Sequence, residues 1–333
     1  MGRSRQAIES PDNPSTEEIE RIVEQLLDEG EATNYQTLKR IARRLRRQDR
    51  RTRSRFEKRL MRRWGQAIDL YDLLMIAAQQ MGEDVNRENR PQAAKDQDYV
   101  FEALTKIHAR ACLIASEIRA LMVFGHASGA NARWRSLHEL AVVAFFVKQH
   151  GNDVAERYIL HATIRSAKES DKYEQHYQAL GYMPPDPVER RQVLEAREKL
   201  VDCYGSDYGS DYGWAAGILS GKPTFAQIEA AVGLAHMRPH FGMASHSVHA
   251  GFKGMAFDIG NMGSANYPEV MLAGPSDAGL ADPGHGAAIS LMQCTVALLN
   301  HIPTQETVVG MRMLLRLVDE VGEAFIEAHR KLE

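Results

Sequence analysis

Arg135, His138 and Glu139 fall at i, i+3 and i+4, spacings that on a helix put a guanidinium, an imidazole and a carboxylate on one face. Arg157 and His161 are one helical turn apart, as are Ser245 and His249. Brought together, these groups could do acid–base chemistry on a phosphate. Imidazole carries the proton, guanidinium holds the anion, and the carboxylate sets the imidazole tautomer. The candidate reacting set is His138, Glu139, Arg135, Arg133, His161 and His249, with Arg157 as an anion holder. The competing reading is a buried ion-pair network, Arg135–Glu139 or Arg157–Glu139, that fixes helix register. Metal is a weaker reading. His236, His240, His246 and His249 offer ligands, but no His-Glu-x-x-His spacing occurs and Pro239 interrupts the first pair. No metal and no cofactor is expected.

Positioning those groups requires helices. Residues 131–150 carry Arg133 to Glu139 into a nearly apolar run, and a long apolar-striped helix is expected over 99–124, broken from it by Gly125 and Gly129. Asp153 and Glu156 suit the start of a helix bearing Arg157 and His161, with a pattern running to about Leu180. Further helices are expected at 188–201, after the Thr224/Gln227 cap, from Pro239, and over 286–301 and 304–331. Two tandem Tyr-Gly-Ser-Asp copies at 204–211 read as a loop insertion, and the Gly/Pro-rich stretch 257–284 as a long loop. Upstream, Ser15 to Glu18 form a capping box for a short helix ending near Gly30, and Asn34 caps the next. Phe56, Leu60, Trp64, Ile68, Tyr71 and Leu74 form a packing stripe, and residues 82–98 read as a linker. No alternating strand pattern appears. The expectation is an all-α multi-helix bundle, with an N-terminal helical region over 1–90 and a core domain over 91–333 that carries the polar site.

Charge is unevenly spread. Residues 39–63 hold 14 Lys/Arg against Asp49 and Glu57, although the chain's net charge is −3. Clustered cations give salt-dependent affinity for a polyanion, so Arg43, Arg47, Arg50 and Arg51 are candidate nucleic-acid contacts. A solvated helix face, docked on an acidic body or a second subunit, accounts for the same letters. No apolar run approaches the ~20 residues of a membrane span, and no apolar signal core opens the chain. Three cysteines, far apart and odd in number, suit a reduced compartment. A cytoplasmic protein without a membrane partner is expected, with RNA or DNA and a second copy of the chain as the candidate partners.

Arg133-x4-His138 matches the Arg-x4–6-His signature of HEPN-type ribonucleases, which are all-helical and cut RNA without metal. With 13 His in the chain the spacing is no denser than chance supplies, and Trp134 stands where that family usually has a polar residue. More specifically, ARWRSLHELAVVAFF (132–146), AERYILH (155–161), YGWA (212–215), ASHSVHA (244–250) and GPSDAGLADP (274–283) resemble an uncharacterised bacterial family, domain of unknown function 5677, from about Phe56 to Leu299. That resemblance implies no activity. It implies that Arg133, Arg135, His138, Glu139, Arg157, His161, Ser245 and His249 lie within the family's motifs. The leading expectation is a HEPN-like metal-independent endoribonuclease, placed in stress or phage defence by analogy alone. The alternative is a non-catalytic scaffold that grips nucleic acid or a partner through residues 39–63.

Overall fold

Leu60, Trp64, Ile68, Tyr71, Leu74 and Ala78 recur at three- and four-residue steps, and every one is fully buried. They belong to α1 (Thr16–Asp96), the first helix of a computed structural model that describes residues 16–254 and 274–331. The chain divides into two compact units, one ending at Lys58 and the other beginning at Arg59. In the first, α1 is helical from Thr16 and solvated on most sides. Gly30 and Asn34 do not break it, which corrects the two short helices expected there. A lone glycine costs a helix only about 1 kcal/mol. The Ser15 cap lies outside the described residues. The Arg-rich stretch is helix as well.

In the second unit α1 continues through the expected linker. Residues 82–96 are helical, with Gly82 and Val85 buried. Polar composition misled because these side chains satisfy one another along the helix: Gln79 with Glu83, Gln80 with Asp84, and Gln92 with Asp96. Pro91 deletes only one ladder donor. Gln97, in the left-handed region (φ 52°), then turns the chain, and the Asp98 side chain caps α2 (Tyr99–Val123) at the Phe101 amide, 2.9 Å.

The remaining helices are α3 (Ala127–His150), α4 (Asn152–Leu160), α5 (Ala162–His176), α6 (Pro187–Tyr204), α7 (Phe225–Ala231), α8 (Arg238–Ser245), α9 (Ala281–Leu299) and α10 (Gln305–Arg330). Among the described residues there is no strand. The helical pattern expected to run to Leu180 is interrupted at His161, and Gly151 precedes α4 in place of Asp153. Most of the Gly/Pro-rich 257–284 stretch lies outside the described residues. Its end is helix, because Pro283 and Gly284 sit in the first turn of α9, where proline is tolerated.

α9 is the central element, packed against α2, α3 and α10. Its buried face is built from small residues, Ala287, Ala288, Ser290, Cys294 and Ala297, with Leu291, Leu298 and Leu299. The Phe325 ring of α10 lies over Gly284 so closely that any Cβ there would overlap it. Trp64 of α1 meets the same ring at 5.9 Å. α3 is fixed on α9 by Trp134, whose Nε1–H donates to Ser290 Oγ at 3.1 Å. That contact sets the rotation of α3, and with it the directions in which His138 and Glu139 point.

Candidate functional site

One helical turn beyond Trp134, His138 turns into the core. Its Nε2 lies 2.8 Å from Glu229 Oε1, and neither side chain has any exposed surface. Glu229 Oε2 lies 2.8 Å from Arg238 Nε, a close ion pair rather than an aligned hydrogen bond. The Trp134, Phe225 and Phe241 rings surround the imidazole at 5.6, 6.2 and 5.8 Å. Burial, partly offset by Glu229, lowers the pKa of His138, so the imidazole is neutral, with Nε2–H donating to the carboxylate. His138 Nδ1 has no hydrogen-bond partner. The expected imidazole–carboxylate contact exists, but with Glu229 of α7 instead of Glu139.

Glu139 points the other way, into a groove of about 880 Å³ between α2, α3, α4 and α5. Desolvation raises its pKa above the usual carboxylate range, and Arg135, 3.8 Å away, only partly opposes this. Half-buried Tyr158 and Tyr212 supply aromatic surface, backed by the buried Trp214, which is held edge-on between Tyr158 (5.1 Å) and Phe146 (5.5 Å). Lys106 and Arg110 on α2, and Arg165, Lys168 and Lys172 on α5, line the same groove against Glu139, Glu169 and Asp211. Lys168 pairs with Asp211 at 2.8 Å, holding that carboxyl below its ordinary pKa. Arg110, Arg165 and Lys172 make no ion pair among the described residues. An aromatic floor, a cationic rim and one carboxylate with raised proton affinity suit a ligand that carries both rings and phosphates.

His161 also reaches this groove but serves its wall. Its Nε2–H donates to the Ser210 carbonyl at 2.9 Å, Tyr208 meets its ring edge-on at 5.3 Å, and burial keeps it neutral. Arg157 likewise donates to the Ala216 carbonyl at 2.6 Å and lies over the Tyr204 ring, while the Tyr208 hydroxyl donates to the Arg157 carbonyl at 2.7 Å. These two side chains anchor residues 206–216, including Tyr212 and Trp214.

The three-helix cluster therefore does not assemble as one site. Arg133 is taken up by an ion pair with Glu117. Arg135 stacks over Phe241 at 4.3 Å. His249 is exposed beyond α8, its backbone amide bonded to the Ser245 carbonyl at 3.2 Å. Arg43, Arg47, Arg50 and Arg51 are exposed on the first unit's α1. Glu229 and Arg238 escaped notice because each stands alone in its segment. Glu229 does sit beside Ile228 and one turn from Phe225, on an apolar face where an ionised group demands a partner. The groove cations had a plainer signal: Lys106/Arg110 and Arg165/Lys168/Lys172 recur at helical steps.

A second cleft of about 730 Å³ gathers His126, His240, His246, Asp282 and His285, and both ends of the chain flanking residues 255–273, Lys253 and Gly274, line it. Among the described residues no three His, Cys, Asp or Glu side chains are grouped to hold a metal ion, and no helix is long and apolar enough to cross a membrane. Residues 101–266 match a family described as a family of unknown function, DUF5677. No curated protein and no solved structure matches the chain.

Proposed function

The chain belongs to the DUF5677 family through residues 101–266, and, since that family has no assigned activity, we propose from the groove itself that the protein binds and cuts single-stranded RNA there. The observation that carries this reading is the half-buried Glu139, its proton affinity raised, among aromatic rings and unpaired cations. Aromatic faces stack on bases without regard to sequence, at ~1–3 kcal/mol per base, and the cations follow the phosphates. Glu139 takes the proton of a ribose 2′-hydroxyl, and that oxygen attacks the adjacent phosphorus. The P–O5′ bond breaks, the 5′ oxygen takes a proton from water, and a 2′,3′-cyclic phosphate remains. Arg165 and Lys172 neutralise the charge that builds on phosphorus. This keeps the metal-independent ribonuclease expectation but moves its chemistry from His138 to Glu139. His138, sealed at zero exposure, holds α3 and α7 in register.

The test uses a labelled RNA oligomer with the purified protein over a range of salt. Binding is expected to weaken with salt, and Arg165→Ala with Lys172→Ala to flatten the log–log slope by about 0.7 per cation lost. Glu139→Gln should keep binding and abolish cyclic-phosphate product. In the wild type, cleavage should fall on acidification at a pH above the normal carboxylate range, because only ionised Glu139 accepts a proton. RNA binding that ignores the groove cations would sink the proposal. A second reading rests on the exposure of Arg43, Arg47, Arg50 and Arg51. If those four, changed to Gln, abolish binding while Glu139→Gln changes nothing, the protein is a non-catalytic binder.

A further inference from the structure

Residues 17–31 carry seven carboxylates and one arginine, whereas residues 33–47 carry six Lys or Arg and no carboxylate. Both stretches lie on α1 in the first unit. Along them Ile19, Ile22, Val23, Leu26, Leu38 and Leu45 are 42–63% exposed, with Ile41 and Ala42 half-buried. These residues recur at steps of three and four, with Gly30 and Asn34 filling the gap between the two groups, so they form one apolar stripe. A stripe of large aliphatic side chains over seven turns in water is a surface built to be covered.

We propose that a second copy of this chain covers it, the two α1 segments pairing antiparallel over residues 17–47. Charge selects both the partner and the direction. Antiparallel pairing lays the acidic stretch of each copy along the basic stretch of the other, with Glu17 beside Arg47, Glu20 beside Arg44 and Glu24 beside Arg40. In the same register Ile19 faces Leu45, Ile22 faces Ala42, Val23 faces Ile41, Leu26 faces Leu38, and Gly30 faces Asn34. Only Arg21 meets a like charge, Arg43. Sliding by one heptad puts Ile19 against Thr52, or Leu45 against Asp12. Parallel in-register pairing would set carboxylates against carboxylates and arginines against arginines, which flanking positions of paired helices select against. A nucleic acid would satisfy the arginines but leave the leucines in water.

Light scattering of the full chain tests this. The expected mass is twice the 37.3 kDa of one chain. Leu26→Asp with Leu38→Asp should give monomer while unfolding of the second unit is unchanged. Charge exchange reads out direction. Glu17→Arg, Glu20→Arg and Glu24→Arg set arginine against arginine at those three facing pairs, and Arg40→Glu, Arg44→Glu and Arg47→Glu set glutamate against glutamate there. Each set should be monomeric alone, and an equimolar mixture of the two should dimerise. With the exposed Cys203 changed to serine, Leu26→Cys and Leu38→Cys proteins should cross-link to each other and not to themselves. A monomeric wild type, a dimer indifferent to both charge sets, or self-cross-linking of Leu26→Cys would each overturn the proposal.

Discussion

His108 is pressed against Gly82, where any Cβ would overlap the imidazole, and its Nε2 lies 3.6 Å from Cys112 Sγ. Burial pushes its pKa down to about 4. The unfolded chain takes up this proton near pH 6.5, the fold only near 4, so the unfolded state binds more protons in between. Stability is therefore full above about pH 6.5, falls as pH drops through the window, and levels off below 4 after losing about 3 kcal/mol at this residue. Denaturant melts at pH 7.5, 5.5 and 4.5 should show the decline, and His108→Gln should flatten it. His138, also lowered by burial, acts in the same direction. Replacing His138 separates support from chemistry. His138→Ala should cost about 3–5 kcal/mol by opening a cavity in the core and removing the hydrogen bond to the buried Glu229 carboxylate. RNA cleavage per folded molecule should survive. Loss of cleavage in folded, stable His138→Ala protein would return the acid–base role to the imidazole.

At the scale of elements, the molecule depends on how closely α9 and α10 approach. Gly284 meets the Phe325 ring and Gly322 meets the His285 ring, so each helix supplies a gap for the other's large side chain. Gly284→Ala should raise helix propensity yet lower stability by about 1–3 kcal/mol, since overpacking outweighs the roughly 1 kcal/mol that alanine gains over glycine. Thermal melting decides the sign, and an unchanged or raised Tm would mean the helices separate freely. α9 in turn seats Trp134 through Ser290, so α3 inherits its rotation from this contact. Most helices were legible from periodicity and caps. The Thr224/Gln227 box on α7 and proline in the first turn of α8 stand as read. The linker expected over 82–98 is helix as far as Asp96, because a helix surface satisfied by its own polar side chains has the composition of a loop.

For the whole molecule, the net charge of −3 conceals opposed blocks whose uses differ. In the proposed pairing, the acidic and basic stretches of α1 match each other across two copies. The cations of α2 and α5 instead face a groove floored by Tyr158 and Tyr212. Arg40, Arg44 and Arg47 belong to the pairing face, while Arg50 and Arg51 lie beyond it and stay open to a polyanion. Raised salt should loosen both dimer and RNA through separate residues, so Arg165→Ala with Lys172→Ala is expected to leave the dimer intact.

The sequence alone determined that the chain is all-α, where most of its helices lie, and that Arg135, His138 and Glu139 sit within little more than one turn of a single helix. Each follows from local spacing, which a helix converts directly into direction. Which neighbour each of those side chains meets was decided only in three dimensions. His138 and Glu139 are adjacent in sequence and so about 100° apart around the helix, enough for one to enter the core and the other a groove. The packing of Trp134 on Ser290 chose which went where. Partners such as Glu229 and Arg165 arrive from other helices, and no spacing within one segment encodes that meeting.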